Sequence, residues 1–122
     1  MKFVKAKPRD LNNKQERKDE RMEQASVSVT EVYSPMKCVE HERVKQDTKW
    51  GIQNHSDEKW LAILTEELGE VAECVCHTAI GSKDEAERRS FDALMDYELV
   101  QVAAVAVAWL ECRKRNRKNC SA

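Results

Sequence analysis

Apolar residues recur at helical spacing in the segment WLAILTEELGEVAECVCH, which begins at Trp60. At about 100° per residue, one strip of such a helix collects most of its large apolar side chains. Ser56 or Asp57 can cap its start, and the helix is expected to stop near Gly81. The pattern therefore predicts an amphipathic helix whose buried strip contains Trp60, Leu64, Val71 and Val75, bordered by Ile63 and Cys74.

A second apolar run, LVQVAAVAVAWL, extends from Leu99 to Leu110 and contains one polar side chain, Gln101. Ser82 and Glu85 form a capping-box pattern upstream, which marks a helix start. The pattern leaves open whether residues 85–110 form one helix or two. A helix that is apolar nearly all round needs cover on every side, so the run favours oligomerisation.

The chain ahead of these two helices has weaker patterns. Ser34 and Pro35 predict the N-cap and first residue of a helix that ends at about Asp47. Residues 49–56 contain turn formers and predict a loop, in which a surface or capping role is expected for His55. The β-branched alternation in ASVSVTEVY predicts a short extended segment.

The fold class predicted from these patterns is all-α. Residues 1–33 form a charged extension with few large apolar side chains, which predicts a solvated helix or a disordered arm. Residues 34–118 form the helical domain, and residues 119–122 form a tail. The basic segment RKRNRK near the end of the last helix complements the negative end of its dipole.

Composition limits the architecture further. The 122 residues are 41% hydrophobic and 35% charged, with a formal net charge of −1, which indicates one domain with a small core. The five cysteines are odd in number and form no CxxC pair, so free thiols are expected. The N-terminus lacks the apolar core of a secretory signal, and the twelve-residue apolar run is too short to span a bilayer. We therefore expect a cytoplasmic protein without a membrane partner.

Candidate chemistry lies in two clusters of acidic and amide residues on the apolar faces of the two helices. The segment TEELGE places Glu67 inside the apolar strip and Glu70 at its edge, whereas Glu66 points towards the polar side. The segment YELVQ places Glu98 and Gln101 one turn apart on the apolar face of the second helix. Two such helices packed together would gather oxygen ligands around one point, which favours a site for Mg²⁺.

Two alternatives compete with a metal site. Glutamates in a highly charged chain usually lie on a solvated helix face. An exposed position of this kind fits Glu66 better than Glu67 or Glu98. A buried ion pair with arginine or lysine would also satisfy an inward carboxylate. The sequence leaves both alternatives open.

The arrangement EExxE followed by ExxD is typical of the MazG-like, all-α nucleotide pyrophosphohydrolases, and this chain resembles that family. Glu66, Glu67 and Glu70 match the first half, and Glu98 matches the second after a 27-residue spacer. The segment ERVKQDTKWGIQNHSDEKW also resembles the stretch ahead of the first acidic helix in small phage and bacterial members. The chain departs from the pattern at Gln101, where the family has Asp, so a neutral amide replaces one charged ligand.

The resemblance implies a fold, a reaction and a set of residue roles. The fold would be an antiparallel helical bundle of the MazG-like type, completed by homo-oligomerisation into a dimer or tetramer. The reaction would be Mg²⁺-dependent hydrolysis of a nucleoside triphosphate to a monophosphate and pyrophosphate, with Mn²⁺ as a substitute metal. Glu66 would be the catalytic base, and the metal ligands would be Glu67, Glu70, Glu98 and Gln101. The substrate contacts would be Arg43, Lys45 and Lys49 for the phosphates and Trp50 and Asn54 for the base or sugar.

Two functions of other classes remain as alternatives. The replacement of Asp by Gln101 favours a protein that binds a nucleotide as a sensor or sponge with little turnover. The basic segments MKFVKAKPR and RKRNRK are compatible with a nucleic-acid-binding accessory protein. The net charge of −1 makes nucleic acid the weaker alternative.

Overall fold

Helices account for almost all of the chain that the computed structural model describes, which comprises residues 16, 17, 19, 20, 29–81 and 84–120. No strand occurs among these residues, so the all-α prediction is confirmed. The elements in chain order are α1 (Val29–Val32), α2 (Pro35–Trp50), α3 (Asp57–Cys76), a π-helical turn (His77–Gly81) and α4 (Glu85–Cys120).

Helix α2 begins where the sequence predicts and ends later. The Ser34 hydroxyl accepts a hydrogen bond from the backbone N–H of Lys37 at 3.3 Å, and Pro35 occupies the first turn. The helix continues through Trp50 and ends at Gly51, whose φ of 69° suits a glycine. The predicted end near Asp47 is wrong because the N–H of Gly51 still bonds to the Asp47 carbonyl at 2.9 Å.

Helix α3 is capped by Ser56, whose hydroxyl accepts from the backbone N–H of Lys59 at 3.3 Å. Its buried face differs slightly from the predicted strip. Val75 was expected to be buried but is 45% exposed, whereas Ile63 and Cys74 are buried. The face of α3 that contacts α4 is therefore rotated, relative to the predicted strip, towards the side of the helix that carries Glu67 and Glu70. Its buried residues are Trp60, Ile63, Glu67, Val71 and Cys74.

Helix α4 is continuous over its 36 residues, which answers the question that the sequence left open. Asp84 precedes it, and its side chain accepts from the backbone N–H of Ala86 at 3.1 Å. The proposed cap Ser82 lies outside the described residues. The helix continues to Cys120, so the start of the predicted tail is helical.

Two apolar clusters join α3 to α4 and show that the helices run antiparallel. One cluster contains Trp60 and Ile63 from the start of α3 together with residues near the end of α4. The other joins Cys74, near the end of α3, to Phe91 and Leu94, near the start of α4. The first cluster is completed by Val105, Ala108 and Cys112, with Leu64 and Trp109 against it.

The segment expected to be extended contains a helical turn instead. Val29–Val32 is helical, and the hydroxyl of Thr30 donates to Asp96 of α4 at 3.1 Å. The contact with α4 outweighs the preference of the β-branched residues for extended structure, since local propensity is a weak determinant beside tertiary contacts. Most of the predicted extension, residues 1–33, lies outside the described residues.

The four cysteines whose side chains are described, Cys38, Cys74, Cys76 and Cys112, are free thiols, as predicted. Helix α4 is long and apolar enough over Glu85–Asn119 to cross a membrane by length and composition alone. The core helix of a soluble protein passes the same test, and α4 carries the buried Glu98 within its apolar part. The cytoplasmic location stays a prediction.

Candidate metal centre

Three carboxylates converge where α3 and α4 meet. Glu67, Glu70 and Glu98 each offer an oxygen, and these oxygens all lie within 4.8 Å of one another. Glu67 and Glu70 come from adjacent turns of α3, three residues apart, and Glu98 approaches from α4. These are three of the residues that the helical wheel predicts to share a site, and we call them the carboxylate cluster.

The carboxylate cluster lies between the two apolar clusters along α3 and α4. Glu98 is 0% exposed and Glu67 is 5% exposed, while Glu70 is half-buried. Two unit charges 4.8 Å apart repel by about 3.5 kcal/mol at an effective dielectric of about 20. Carboxylates gathered in this way need a positive charge or protons nearby, and oxygen ligands of this type suit a hard divalent cation.

Gln101 lies one turn after Glu98 on α4 and is half-buried. Its Nε2 is enclosed, and no acceptor in the described part of the chain bonds to it. The two ends of an amide are assigned from surrounding hydrogen bonds, so rotation of this side chain by half a turn would enclose the oxygen instead. An enclosed amide oxygen beside Glu98 would be a neutral ligand.

Glu66 does not belong to the carboxylate cluster, although it is the neighbour of Glu67 in sequence. It is half-buried on α3, and about 100° of helical rotation separates it from Glu67. This placement agrees with the predicted outward tilt. A role in taking a proton from water stays a prediction.

Arg43, predicted to contact phosphate, is held far along α4 from the cluster. Its guanidinium donates to Asp47 at 3.0 Å and to Glu111 at 2.7 Å. Burial acts to lower the pKa of Arg43, but the hydrogen bond and charge of Glu111, with those of Asp47, outweigh it and raise the pKa. Glu111 follows Glu98 by 13 residues, about 20 Å of helix. A single ligand would have to span about that distance to contact both groups.

The other predicted substrate residues also have contacts within the chain. Lys45 is exposed and lies 3.6 Å from Glu42, and Lys49 lies over the ring of Trp50, 4.6 Å from its centroid. The Asn54 oxygen accepts from Arg115 at 3.2 Å. Trp50 is half-buried, in keeping with a packing role for this residue. Their substrate roles stay predictions.

Sequence reasoning missed a polar network that joins the start of α3 to the end of α4. Asp57 accepts a hydrogen bond from Trp109 Nε1 at 2.8 Å and forms an ion pair with Arg113. The hydrogen bond from Trp109, followed by that from Arg113, lowers the pKa of Asp57. An acidic first turn in one helix and a basic segment in the last third of the next are a signal for such a contact in an antiparallel pair.

The position of His55 differs from the prediction. It was expected at the surface or at a cap, but it is 8% exposed, with its ring edge-on to Trp60 at 4.8 Å between centroids. Burial, together with the positive charge of Lys59, lowers the pKa of His55. The residue contributes to the core beside Trp60.

Comparison with known proteins gives no relative: no family profile, curated protein or solved structure matches the chain. The resemblance to MazG-like enzymes therefore rests on the sequence motif and stays a prediction.

Proposed function

We propose that the protein is a Mg²⁺-dependent nucleoside triphosphate pyrophosphohydrolase of the MazG-like type. The observation that carries this proposal is the convergence of Glu67, Glu70 and Glu98 between two antiparallel helices. The two halves of the motif span 36 residues, from Glu66 to Gln101, and bring their carboxylates together only if the two helices pair in one particular register. The site supports a nucleotide as substrate because its bound cation would attract the phosphate oxygens.

The residues of the cluster have distinct tasks in this proposal. Glu67, Glu70 and Glu98 would hold the cation through carboxylate oxygens, and Gln101 would add a neutral oxygen. When bound, Mg²⁺ supplies charge neutralisation at phosphate and a lowered pKa for a bound water. Glu66, on the more exposed flank of α3, would accept the proton of the attacking water. The products would be a nucleoside monophosphate and pyrophosphate.

Homo-oligomerisation is part of the proposal. Leu61, Leu68 and Val75 follow one another at seven-residue spacing on α3 and are 45–56% exposed. Leu99 and Leu110, about 20° apart on the wheel of α4, are 47% and 62% exposed. A second copy of the chain that covers these stripes would remove large apolar side chains from water.

The proposed function is tested by incubating the full chain with Mg²⁺ and a panel of canonical and modified nucleoside triphosphates, with separation of pyrophosphate from phosphate. We expect a monophosphate and pyrophosphate, and loss of both products with Glu67→Gln. Glu87→Gln, an exposed glutamate on α4, is the matched control and should retain turnover. Release of phosphate and a diphosphate would contradict the proposed bond cleavage.

The replacement of the expected Asp by Gln101 favours a second candidate, a nucleotide-binding sensor on the same fold. An amide attracts a cation less than a carboxylate does and cannot act as a base. In the same panel, a nucleotide that raises the melting temperature in the presence of Mg²⁺ without product formation would favour the sensor. Absence of both binding and turnover would exclude both candidates.

A further inference from the structure

His77 and Phe91 form a stacked pair of rings at the end of α3. The ring centroids are 4.2 Å apart, and the two ring planes differ by 3°. Phe91 is only 2% exposed, whereas the side chain of His77 is 36% exposed. Because Phe91 covers one face of the imidazole, the exposed area of His77 belongs to the opposite ring face and to the ring edge. The pair therefore presents a flat aromatic surface on a buried support.

The backbone and a neighbouring carboxylate hold the imidazole of His77 in place. Its backbone N–H bonds to the carbonyls of Glu73 and Cys74, so the first residue of the π-helical turn is still tied to α3. Its Nε2 lies 3.9 Å from a carboxylate oxygen of Glu73, one turn earlier. A ring that is already ordered loses little conformational freedom when a flat ligand stacks on it. Single π-helical turns are also frequent at functional sites.

The stacked pair lies two helical turns from the carboxylate cluster on both helices. His77 follows Glu70 by seven residues on α3, and Phe91 precedes Glu98 by seven residues on α4, which is about 10 Å of helix in each case. Seven residues bring a side chain back to within about 20° on the helical wheel, so His77 and Glu70 share one edge of α3. This separation is comparable with that between the phosphates and the base of a nucleotide.

Asn54, which the family resemblance implies for the base or sugar, lies further from the cluster within one chain. Its side-chain oxygen accepts from Arg115 at 3.2 Å. Arg115 follows Glu98 by 17 residues, about 25 Å of helix. Of the two, His77 is therefore much better placed to meet the base of a nucleotide whose phosphates lie at the carboxylate cluster.

We propose that the exposed face of His77 stacks on the nucleobase of the substrate, an inference that rests on the proposed function. Bases stack readily on aromatic side chains, because every base has a π-face. Glu73, whose side chain is 29% exposed beside the imidazole, is an acceptor that favours a base with an exocyclic amino group. The substrate class is therefore a nucleotide of adenine, guanine or cytosine, in preference to one of uracil or thymine.

The test measures binding to the full chain in the presence of Mg²⁺, so that it does not depend on turnover. The ligands are α,β-methylene analogues of nucleoside triphosphates with different bases, and inorganic triphosphate, which has the phosphates without a base. In calorimetric titrations, His77→Ala should weaken the adenine analogue by about tenfold and leave inorganic triphosphate within about twofold. His77→Phe, which keeps a ring and removes the nitrogens, should retain most of the affinity.

His41→Ala is the matched control. His41 also packs on an aromatic ring, that of Tyr33 at 5.1 Å between centroids, but it lies on α2 and should leave the binding of both ligands unchanged. Glu73→Gln should reduce the preference for the adenine analogue over the uracil analogue, because the acceptor loses its charge.

A 2-aminopurine nucleotide reports stacking directly, and circular dichroism establishes that each variant is folded. Its fluorescence should be quenched on binding to the wild type and to His77→Phe, but not to His77→Ala. Equal weakening of the analogue and of inorganic triphosphate in His77→Ala, or no weakening of either, would overturn the inference and leave the proposed function standing. Failure of the wild type to bind either ligand with Mg²⁺ would refute the proposed function and the inference with it.

Discussion

Glu67 of α3 and Glu98 of α4 bring carboxylate oxygens within 4.8 Å of each other although both side chains are buried. The two residues are 31 positions apart in sequence and meet because the helices pair antiparallel with Trp60 and Cys74 on either side of Glu67. Like charges are enclosed in this way where a cation or a proton compensates them. The proposed metal centre follows from this relationship.

Replacement of Glu98 distinguishes a metal centre from a buried ion pair. For a metal centre, Glu98→Gln should raise the melting temperature in EDTA, because one of three mutually repelling carboxylates is removed. The wild type should gain stability with Mg²⁺, by about 2.7 kcal/mol at a hundred times the dissociation constant, and the variant should gain little. Thermal unfolding with and without Mg²⁺ measures both effects. A marked loss of stability in EDTA would favour the ion pair instead.

Replacement of Gln101 by Asp should strengthen metal binding, because the added charge attracts the cation more than a neutral amide does. We expect the affinity for Mg²⁺ to rise by about tenfold, which corresponds to about 1.4 kcal/mol. Isothermal titration with Mg²⁺ and with Mn²⁺ measures the change. Gln101→Asn has the shape of Asp without its charge and is the control. An equal gain in both variants would contradict a role for charge.

The stability of the protein should fall as the pH is lowered through 6.5, the ordinary pKa of histidine. The pKa of His55 is lowered in the folded chain, so the unfolded chain binds a proton first. The contribution of His55 is therefore present above pH 6.5 and lost as the pH falls towards the folded value. Urea unfolding at several pH values should show this slope in the wild type and in His41→Gln but not in His55→Gln. An unchanged slope in His55→Gln would refute the assignment.

A charge placed in the exposed leucine stripe of α3 should dissociate the proposed oligomer. Leu68 is 55% exposed in the single chain, and Leu68→Lys would introduce a charge into the proposed contact. We expect light scattering after size-exclusion chromatography to show a dimer or tetramer for the wild type and a monomer for the variant. Ala62→Lys, on an exposed position about 120° away around α3, should keep the wild-type mass. A monomeric wild type would remove oligomerisation from the proposal.

Several features were predictable because they depend on local chemistry or on periodicity. Ser34 and Ser56 cap helices in the structure as the sequence predicts, since capping depends on residues within one turn. The positions of Glu67, Glu70 and Glu98 follow from the helical wheel combined with the expectation that two apolar faces meet. The wheel states which side chains share a face, and together with that expectation it predicted the members of the carboxylate cluster.

Other features were decided by the tertiary structure because they depend on residues far apart in sequence. The wheel does not define the rotation of α3 against α4, so it could not show that Val75 is exposed while Cys74 is buried. Nor does periodicity identify long-range partners, and the contact of Arg43 with Glu111 joins residues 68 positions apart. His55 is buried because it packs against α4, where the Sγ of Cys112 donates to its carbonyl at 3.7 Å, and against the ring of Trp60. By itself, the sequence determined that α2 and α3 form, with their serine caps, and which helix faces carry acidic residues. The packing of α2 and α3 on α4 determined which polar groups meet, because such contacts arise only from the register of whole helices.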